Sequence, residues 1–261
     1  LDVGILIVGN EILDGIVLDT NSNWLVGRLR GLALHVKEFM TVRDEIPEIA
    51  KALRRAIEDS CDLIFTVGGL GPTHDDKTLR GVAEAFSLPL ELNDEALRIV
   101  ERQYKHFFQQ GTVKTSEITD ARRKMALLPR GANPLDNRVG GAPGVLLEVG
   151  DATLICLPGV PSEMKWIFDN EALEMLKGKV KGVLRERIVT VSSRDESSLS
   201  PIIDMVMAQF PGVYIKSMVH SSEGGAHIRL WVSAYGDSEE EVEKLISRAV
   251  EELMRESEKQ P

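Results

Sequence analysis

The sequence predicts an α/β protein, a three-layer and mostly parallel sheet followed by a second, smaller α+β domain. Three observations carry that prediction. Short continuous apolar runs, of the kind buried on both faces of a parallel sheet, occur at Val3–Val8 and Asp62–Val67. Segments with helical spacing separate and follow them, so residues 1–86 read β-α-β-α-β-loop-α, and the right-handed crossover rule turns that order into a parallel sheet covered on both sides. Beyond a basic, glycine-containing stretch at Lys177–Gly182, which reads as a hinge, the pattern changes to β-α-β-β-α with helices on one face. The expected division is therefore 1–178 and 179–261.

Taken in order, Val3–Val8 is a first buried strand, stopped by Gly9-Asn10-Glu11 where a carboxylate would emerge at the sheet edge. Asp19-Thr20-Asn21-Ser22 offers N-caps for a helix through Trp24, Leu25 and Leu29 that ends at Gly31. Val36–Val42 is a second strand, and Pro47 opens a helix carrying Ile49, Leu53 and Ile57 at i, i+4 spacing. The third strand, Asp62–Val67, runs into Gly68, Gly69, Gly71 and Pro72. Those glycines allow conformations closed to other residues and leave room for something to approach the main chain. Asp75, Asp76 and Thr78 follow, with Leu79, Val82, Ala83 and Phe86 opening a helix. Asn93–Gln110 reads as a long polar helix with Leu97, Val100 and Tyr104 on its apolar side. Ser116–Lys124 reads as another, both flanking the sheet.

A second glycine-rich loop, Asn137 to Gly144 (NRVGGAPG), precedes strands Val145–Val149 and Thr153–Leu157, which turn at Gly150-Asp151. Pro158-Gly159-Val160-Pro161 is a third loop, with Ser162 as a possible cap for a helix containing Met164, Ile167 and Phe168. If their strands are parallel, the loops at 9–22, 68–78 and 158–163 lie along one sheet edge, where α/β proteins bind ligands. In the second part, Arg187–Val191, Val213–Met218 and Ala226–Ala234 read as strands and Glu196–Gln209 as a helix. Asp237 or Ser238 caps a last helix striped by Val242, Leu245, Ile246, Ala249, Val250 and Leu253.

Composition bounds the function. At 43% hydrophobic residues over 261 positions there is ample core material, and no apolar run is long enough to span a bilayer, so a cytoplasmic protein is expected. Cys61 and Cys156 read as buried thiols. The net charge of −10 argues against nucleic-acid and anionic-membrane binding. Lys77-Thr78 does not complete a P-loop, because Asp76 stands where that motif needs Gly. The glycines do not form the dinucleotide fingerprint, and His74 reads as an exposed loop residue.

Carboxylates beside an anion cradle pose a physical problem, since Asp75 and Asp76 repel a phosphate. A divalent cation resolves it: Mg²⁺ binds through one or two carboxylates together with substrate phosphates. The competing reading of Asp75-Asp76 is a helix cap with a favourable dipole contact.

The motifs Gly9-Asn10-Glu11-Ile12-Leu13-x-Gly15, Asp19-Thr20-Asn21, Gly68-Gly69-Leu70-Gly71-Pro72-Thr73-x-Asp75-Asp76-x-Thr78, Ala142-Pro143-Gly144 and Leu157-Pro158-Gly159-Val160-Pro161-x-Glu163-Met164 together resemble those of the CinA (competence/damage-inducible protein) N-terminal family, which carries a molybdopterin-binding-type domain. The second part resembles the KH-type domain that follows in that family, with Glu196-Ser197 at a position its members fill similarly. Longer members add an amide-hydrolysing domain that residues 1–261 do not contain. One departure is Gly141, where the family commonly has Thr.

The resemblance implies a divalent-metal-dependent pyrophosphatase acting on ADP-ribose, FAD or a similar nucleotide, with Mg²⁺ or Co²⁺. Asp75, Asp76 and Glu11 are the expected metal or water-positioning groups, the metal resting on Asp75 and Asp76. Asp19, Asn21 and Glu163 are expected to support substrate. The loops holding phosphate and sugar comprise Gly68, Gly69, Gly71, Pro72, Thr73 and Thr78; Asn137, Gly140, Gly141, Ala142 and Gly144; and Pro158, Gly159 and Pro161. The alternative is a molybdopterin-binding domain of the molybdenum-cofactor type without hydrolase activity. An RNA-binding role for the second part is disfavoured, because Ser221–Gly225 (SSEGG) contains no G-x-x-G loop. Self-association as a dimer is expected.

Overall fold

The computed structural model describes residues 1–179, 182–193, 196–218 and 227–259. The chain divides into two compact units, residues 1–30 with 34–180 and residues 31–33 with 181–261. The hinge expected at Lys177–Gly182 falls partly, and Ser221–Gly225 wholly, outside the described residues.

The first unit begins with β1 (Asp2–Val8), a short helix α1 (Asn10–Leu13) and α2 (Thr20–Gly31), followed by β2 (His35–Val42), α3 (Ile46–Glu58), β3 (Leu63–Val67) and α4 (Thr78–Ala85). Next come β4 (Leu90–Leu92), α5 (Asp94–Gln109), α6 (Asp120–Lys124), β5 (Leu127–Pro129) and β6 (Asn133–Leu135). The hairpin β7 (Gly144–Val149) and β8 (Ala152–Leu157) leads to α7 (Pro161–Ile167), a π-helical turn over Phe168–Ala172 and α8 (Leu173–Lys177). Six strands form one sheet in the order β2-β1-β3-β8-β7-β6. The first four are mutually parallel; β7 runs antiparallel to β8, and β6, at the edge, antiparallel to β7.

Every residue of β3 and β8 is buried, as a strand covered on both faces requires. On one face Leu6, Ile64 and Leu154 pack with Ile49 and Leu53 of α3, Val82 of α4 and Val100 of α5. On the other, Phe65 meets Phe168 at 6.0 Å between ring centroids, and Phe168 meets Trp24 of α2 edge-on at 5.5 Å. Those contacts make the three layers.

Several local expectations change. The helix expected over Ser116–Lys124 exists only from Asp120, because Thr119 accepts from Arg122 N and starts it there. Ser162 does not cap α7: the cap position is Val160, and Pro161, whose missing N–H costs nothing at a first turn, opens the helix. Strands β4, β5 and β6 are three residues each, too short for periodicity to register. Cys61 and Cys156 are free and buried, and desolvation pushes their thiols up to about 11 and about 12.

The second unit contains β9 (Val183–Ser192), α9 (Glu196–Gln209), β10 (Val213–Met218), β11 (His227–Gly236) and α10 (Glu239–Ser257), its antiparallel sheet ordered β10-β11-β9. Leu230, Val232, Leu199, Val206, Ile246 and Leu253 share its core. Ser238 occupies the cap position of α10 without a side-chain bond, so capping there is not the expected one. Among the described residues no helix is long and apolar enough to cross a membrane.

Helices α3 and α4 approach closely at Gly81, where a Cβ would lie 2.4 Å from Ile49 Cγ2. Gly81→Ala should therefore destabilise the first unit by about 1–3 kcal/mol despite the better helix propensity of Ala. A lowered urea midpoint at unchanged slope is the expected result.

Candidate functional site

Strands β1, β3 and β8 end level with one another, Ile7 opposite Val67 and Val67 opposite Leu157. Their following loops meet around a cavity of about 510 Å³. Gly68 joins them. Its N–H donates to Leu157 O (3.0 Å), its carbonyl accepts from Thr78 Oγ1 (2.7 Å), and at its φ of +105° a Cβ would stand 2.2 Å from Val8 O. At Gly69, φ +67°, a Cβ would meet Thr78 Oγ1 at 2.3 Å. The space kept at these two glycines is therefore filled by the protein's own chain, which is a different reason from the ligand approach expected of them.

The carboxylate pair is organised by Thr73. Its N–H donates to Asp76 Oδ2 (2.8 Å), and its hydroxyl lies between Asp76 Oδ2 (2.5 Å) and Asp75 Oδ1. Neither aspartate supplies a side-chain cap to α4, whose cap position is Lys77 without a side-chain bond. The Thr73 hydroxyl, and then its own backbone N–H, holds the Asp75 carboxyl below the usual carboxylate range. Lys124 Nζ, the last residue of α6, donates to Thr73 O behind the pair, and desolvation lowers its pKa. His74 is exposed, 3.9 Å from Asp75.

Asp44 was not anticipated. It follows β2 as Glu11 follows β1, and its Oδ2 accepts from Asn10 N (2.8 Å) while Asn10 Oδ1 accepts from Asp44 N (3.3 Å). It is buried; desolvation raises its pKa, and Glu11, Asp75 and Asp76 add to the effect. Its position at the carboxyl end of a parallel strand was the available signal.

Asp19 and Asn21 stand at the start of α2. Asp19 Oδ1 accepts from Ser22 N (3.0 Å), and Asn21 Nδ2 donates to Gly159 O (2.7 Å), which links the first loop to the third. Their other oxygens, Asp19 Oδ2 and Asn21 Oδ1, are buried without a partner in residues that line the cavity.

Asn137 shapes the second glycine-rich loop. Fully buried, it donates from Nδ2 to Ala142 O (2.7 Å) and to Glu163 Oε2 (2.8 Å), and accepts at Oδ1 from Val139 N and Gly140 N. Glu163 lies over Gly140, where a Cβ would come within 1.7 Å of the carboxyl carbon. Burial raises the Glu163 pKa, with the Asn137 bond opposing.

The cavity thus gathers Glu11, Asp19, Asn21, Asp75, Asp76 and Glu163 from separate loops, with Gly68, Gly69, Gly71 and Pro72 on one wall and Gly141, Ala142, Pro158, Gly159 and Pro161 on others. Thr73, Thr78, Asn137, Gly140 and Gly144 do not line it. Thr73, Thr78 and Asn137 bond to the loops from behind, while a Cβ at Gly144 would meet Ile167 Cγ2 at 2.9 Å. Tyr104 of α5, read from spacing as an apolar helix position, also lines it, and no feature of the sequence pointed there. At Gly141 the rim of Tyr104 occupies the space a side chain would enter, its Cε2 3.1 Å from a Cβ. Six carboxylates face the cavity, and no Lys, Arg or His is among the described residues lining it. Among the described residues no group of three or more His, Cys, Asp or Glu is placed to hold a metal ion by itself.

A doubly wound sheet with its cavity at the carboxyl ends of parallel strands defines a ligand-binding α/β domain. Residues 4–178 match the family model described as a probable molybdopterin binding domain, and the chain belongs to that family. It is 40% identical over 254 residues to a protein of Pyrobaculum arsenaticum (96% of this chain, 92% of the relative), and 35% identical over 242 residues to one of Pyrococcus horikoshii (93% and 92%). The crystal structure of "the protein CinA with unknown function" from Thermoplasma acidophilum is similar at a TM-score of 0.60 and 34% identity, covering 67% of this chain and 99% of that one.

Glu163 offers a pH test. Because burial raises its folded pKa above the ordinary value of 4.5, stability is greatest with the group protonated and is lost as pH rises from about 4.5 through the folded value. Glu163→Gln removes that loss, so the variant should gain on the natural protein between pH 4 and pH 7 in urea denaturation.

Proposed function

We propose that the first unit binds a phosphate-bearing pterin of the molybdopterin class. The observation that carries this reading is the pair of buried, unpartnered acceptors Asp19 Oδ2 and Asn21 Oδ1, which belong to residues that line the cavity. A pterin presents ring and amino N–H donors along one edge, and unsatisfied buried acceptors are costly until such donors arrive. A cavity of about 510 Å³ is of ordinary size for a ligand of that kind. The family match supports the same reading.

A phosphate entering among six carboxylates needs a companion cation. Asp75 and Asp76 are the residues to hold one, as a pair that the ligand's phosphate oxygens and water would complete. When bound, a divalent ion neutralises phosphate charge and polarises phosphorus. The second unit has no part in the proposal: its KH-type reading rests on element order and resemblance, and it holds more Asp and Glu than Lys and Arg.

Isothermal titration with a pterin phosphate and Mg²⁺ tests the reading. Asp19→Asn keeps the oxygen that caps α2 and replaces the free one with a donor, so affinity should fall at least about tenfold. Equal affinity in the variant, or none in the natural protein, would sink the proposal.

The carboxylates around Thr73 favour a second reading, a Mg²⁺- or Co²⁺-assisted pyrophosphatase acting on ADP-ribose or FAD. Release of AMP, largely abolished by Asp76→Asn, is its expected result. Binding of pterin with no turnover of either nucleotide leaves only the first reading standing.

A further inference from the structure

The cavity wall is short of side-chain donors. Besides its six carboxylates, the polar side chains lining it among the described residues are Thr20, Asn21 and Tyr104, and the amide of Asn21 already donates to Gly159 O. Tyr104 of α5 is packed between Arg122 and Phe107. The Arg122 guanidinium lies 3.8 Å from its ring centroid, and Phe107 meets it edge-on at 5.7 Å. Arg122 is itself fixed, donating from Nη1 to Thr115 O (2.8 Å) and Glu117 O (2.6 Å). On the cavity side the outer rim rests against Gly141, where a Cβ would lie 3.1 Å from Cε2 and 3.3 Å from the hydroxyl oxygen. Such a clamp fixes the phenol at the wall without using its O–H.

We propose that Tyr104 is a ligand-contacting residue whose hydroxyl donates to a phosphate oxygen of the bound molecule, with Arg122 as the residue that positions it. The inference rests on the reading of a phosphate-bearing ligand given above. A neutral O–H suits this wall, since it donates to an anion without forming an ion pair with the neighbouring carboxylates. Gly141 belongs to the same device: the absent side chain is the room that the rim of Tyr104 occupies.

Titrations in Mg²⁺ with a pterin phosphate ester and with the same pterin lacking phosphate separate this role from a structural one. In Tyr104→Phe, which keeps the ring under Arg122, affinity for the ester should fall about tenfold while affinity for the unphosphorylated pterin is unchanged. Gly141→Ala, which crowds the rim, and Arg122→Gln, which removes the clamp, should lose affinity for the ester selectively in the same way. Equal losses for both ligands, or no loss in Tyr104→Phe, would overturn the proposal, as would a natural protein that binds only the unphosphorylated pterin. If the natural protein binds neither pterin, the pterin reading fails and Mg²⁺-pyrophosphate decides the role of Tyr104. A tenfold loss in Tyr104→Phe then supports it, and equal or absent binding overturns it.

Discussion

The site depends on the close approach of three chain segments at Gly68. One residue bonds to the end of β8 through its N–H and to the start of α4 through its carbonyl, and passes so near Val8 O that no side chain fits. Gly159 lies against it as well, its Cβ direction 3.3 Å from Gly68 Cα. Parallel strands in register deliver Ile7, Val67 and Leu157 to one level, but they leave the loops beyond them free to diverge. Gly68 and the Asn21–Gly159 bond remove that freedom. The positive φ and the absent Cβ belong to the packing of the protein on itself, and the cavity is the space left where that packing stops.

Charge sets the second constraint. Six carboxylates converge on the cavity, Asp75 and Asp76 from one loop and Glu11, Asp19, Asp44 and Glu163 from four other places in the chain. At Asp44 burial raises the pKa, the Asn10 N–H opposes it, and the nearby Glu11, Asp75 and Asp76 charges add to the rise. Local bonds tolerate this arrangement without neutralising it: Thr73 for the aspartate pair, Asn10 for Asp44, Ser22 for Asp19, Asn137 for Glu163. A ligand with N–H donors, a cation or both would relieve it, and an unaccompanied anion would not.

The layers were legible because buried parallel strands read as short apolar runs, and β1, β3 and β8 do so with no charged residue inside the run and only Thr66 and Thr153 as polar members. The three loops were legible for the same reason, since a glycine-rich stop after such a run has few other meanings. Two kinds of feature were not legible. Strands of three residues, β4 to β6, are too short for an alternation of period two to be read. Residues that act across long sequence separations leave no local trace: Tyr104 reaches the cavity from a helix whose spacing calls only for burial, and Thr73 and Thr78 look like ligand contacts until the bonds they make inward are seen. Asp44 lies between these cases, since the rule that exposed Glu11 applied equally to the end of β2.

The helical insertion between β4 and β5 explains how a cavity so acidic is kept in shape. Its cations do not enter the cavity; they stand one layer behind it and hold backbone. Lys124 donates to Thr73 O, Arg122 to Thr115 O and Glu117 O beneath the Tyr104 ring, and Arg102 to Asn137 O (2.9 Å) while pairing with Asp136. Arg102 and Lys124 thereby brace the second glycine-rich loop and the Asp75-Asp76 loop. Placing the positive charges there stabilises each loop locally, yet leaves the carboxylate oxygens on the cavity side unpaired with any basic side chain that lines it. Direct ion pairs across the cavity would have satisfied the same charges and closed the space. The insertion therefore supports the site by rigidity, and the negative potential it preserves is what selects a ligand that brings its own donors or its own cation.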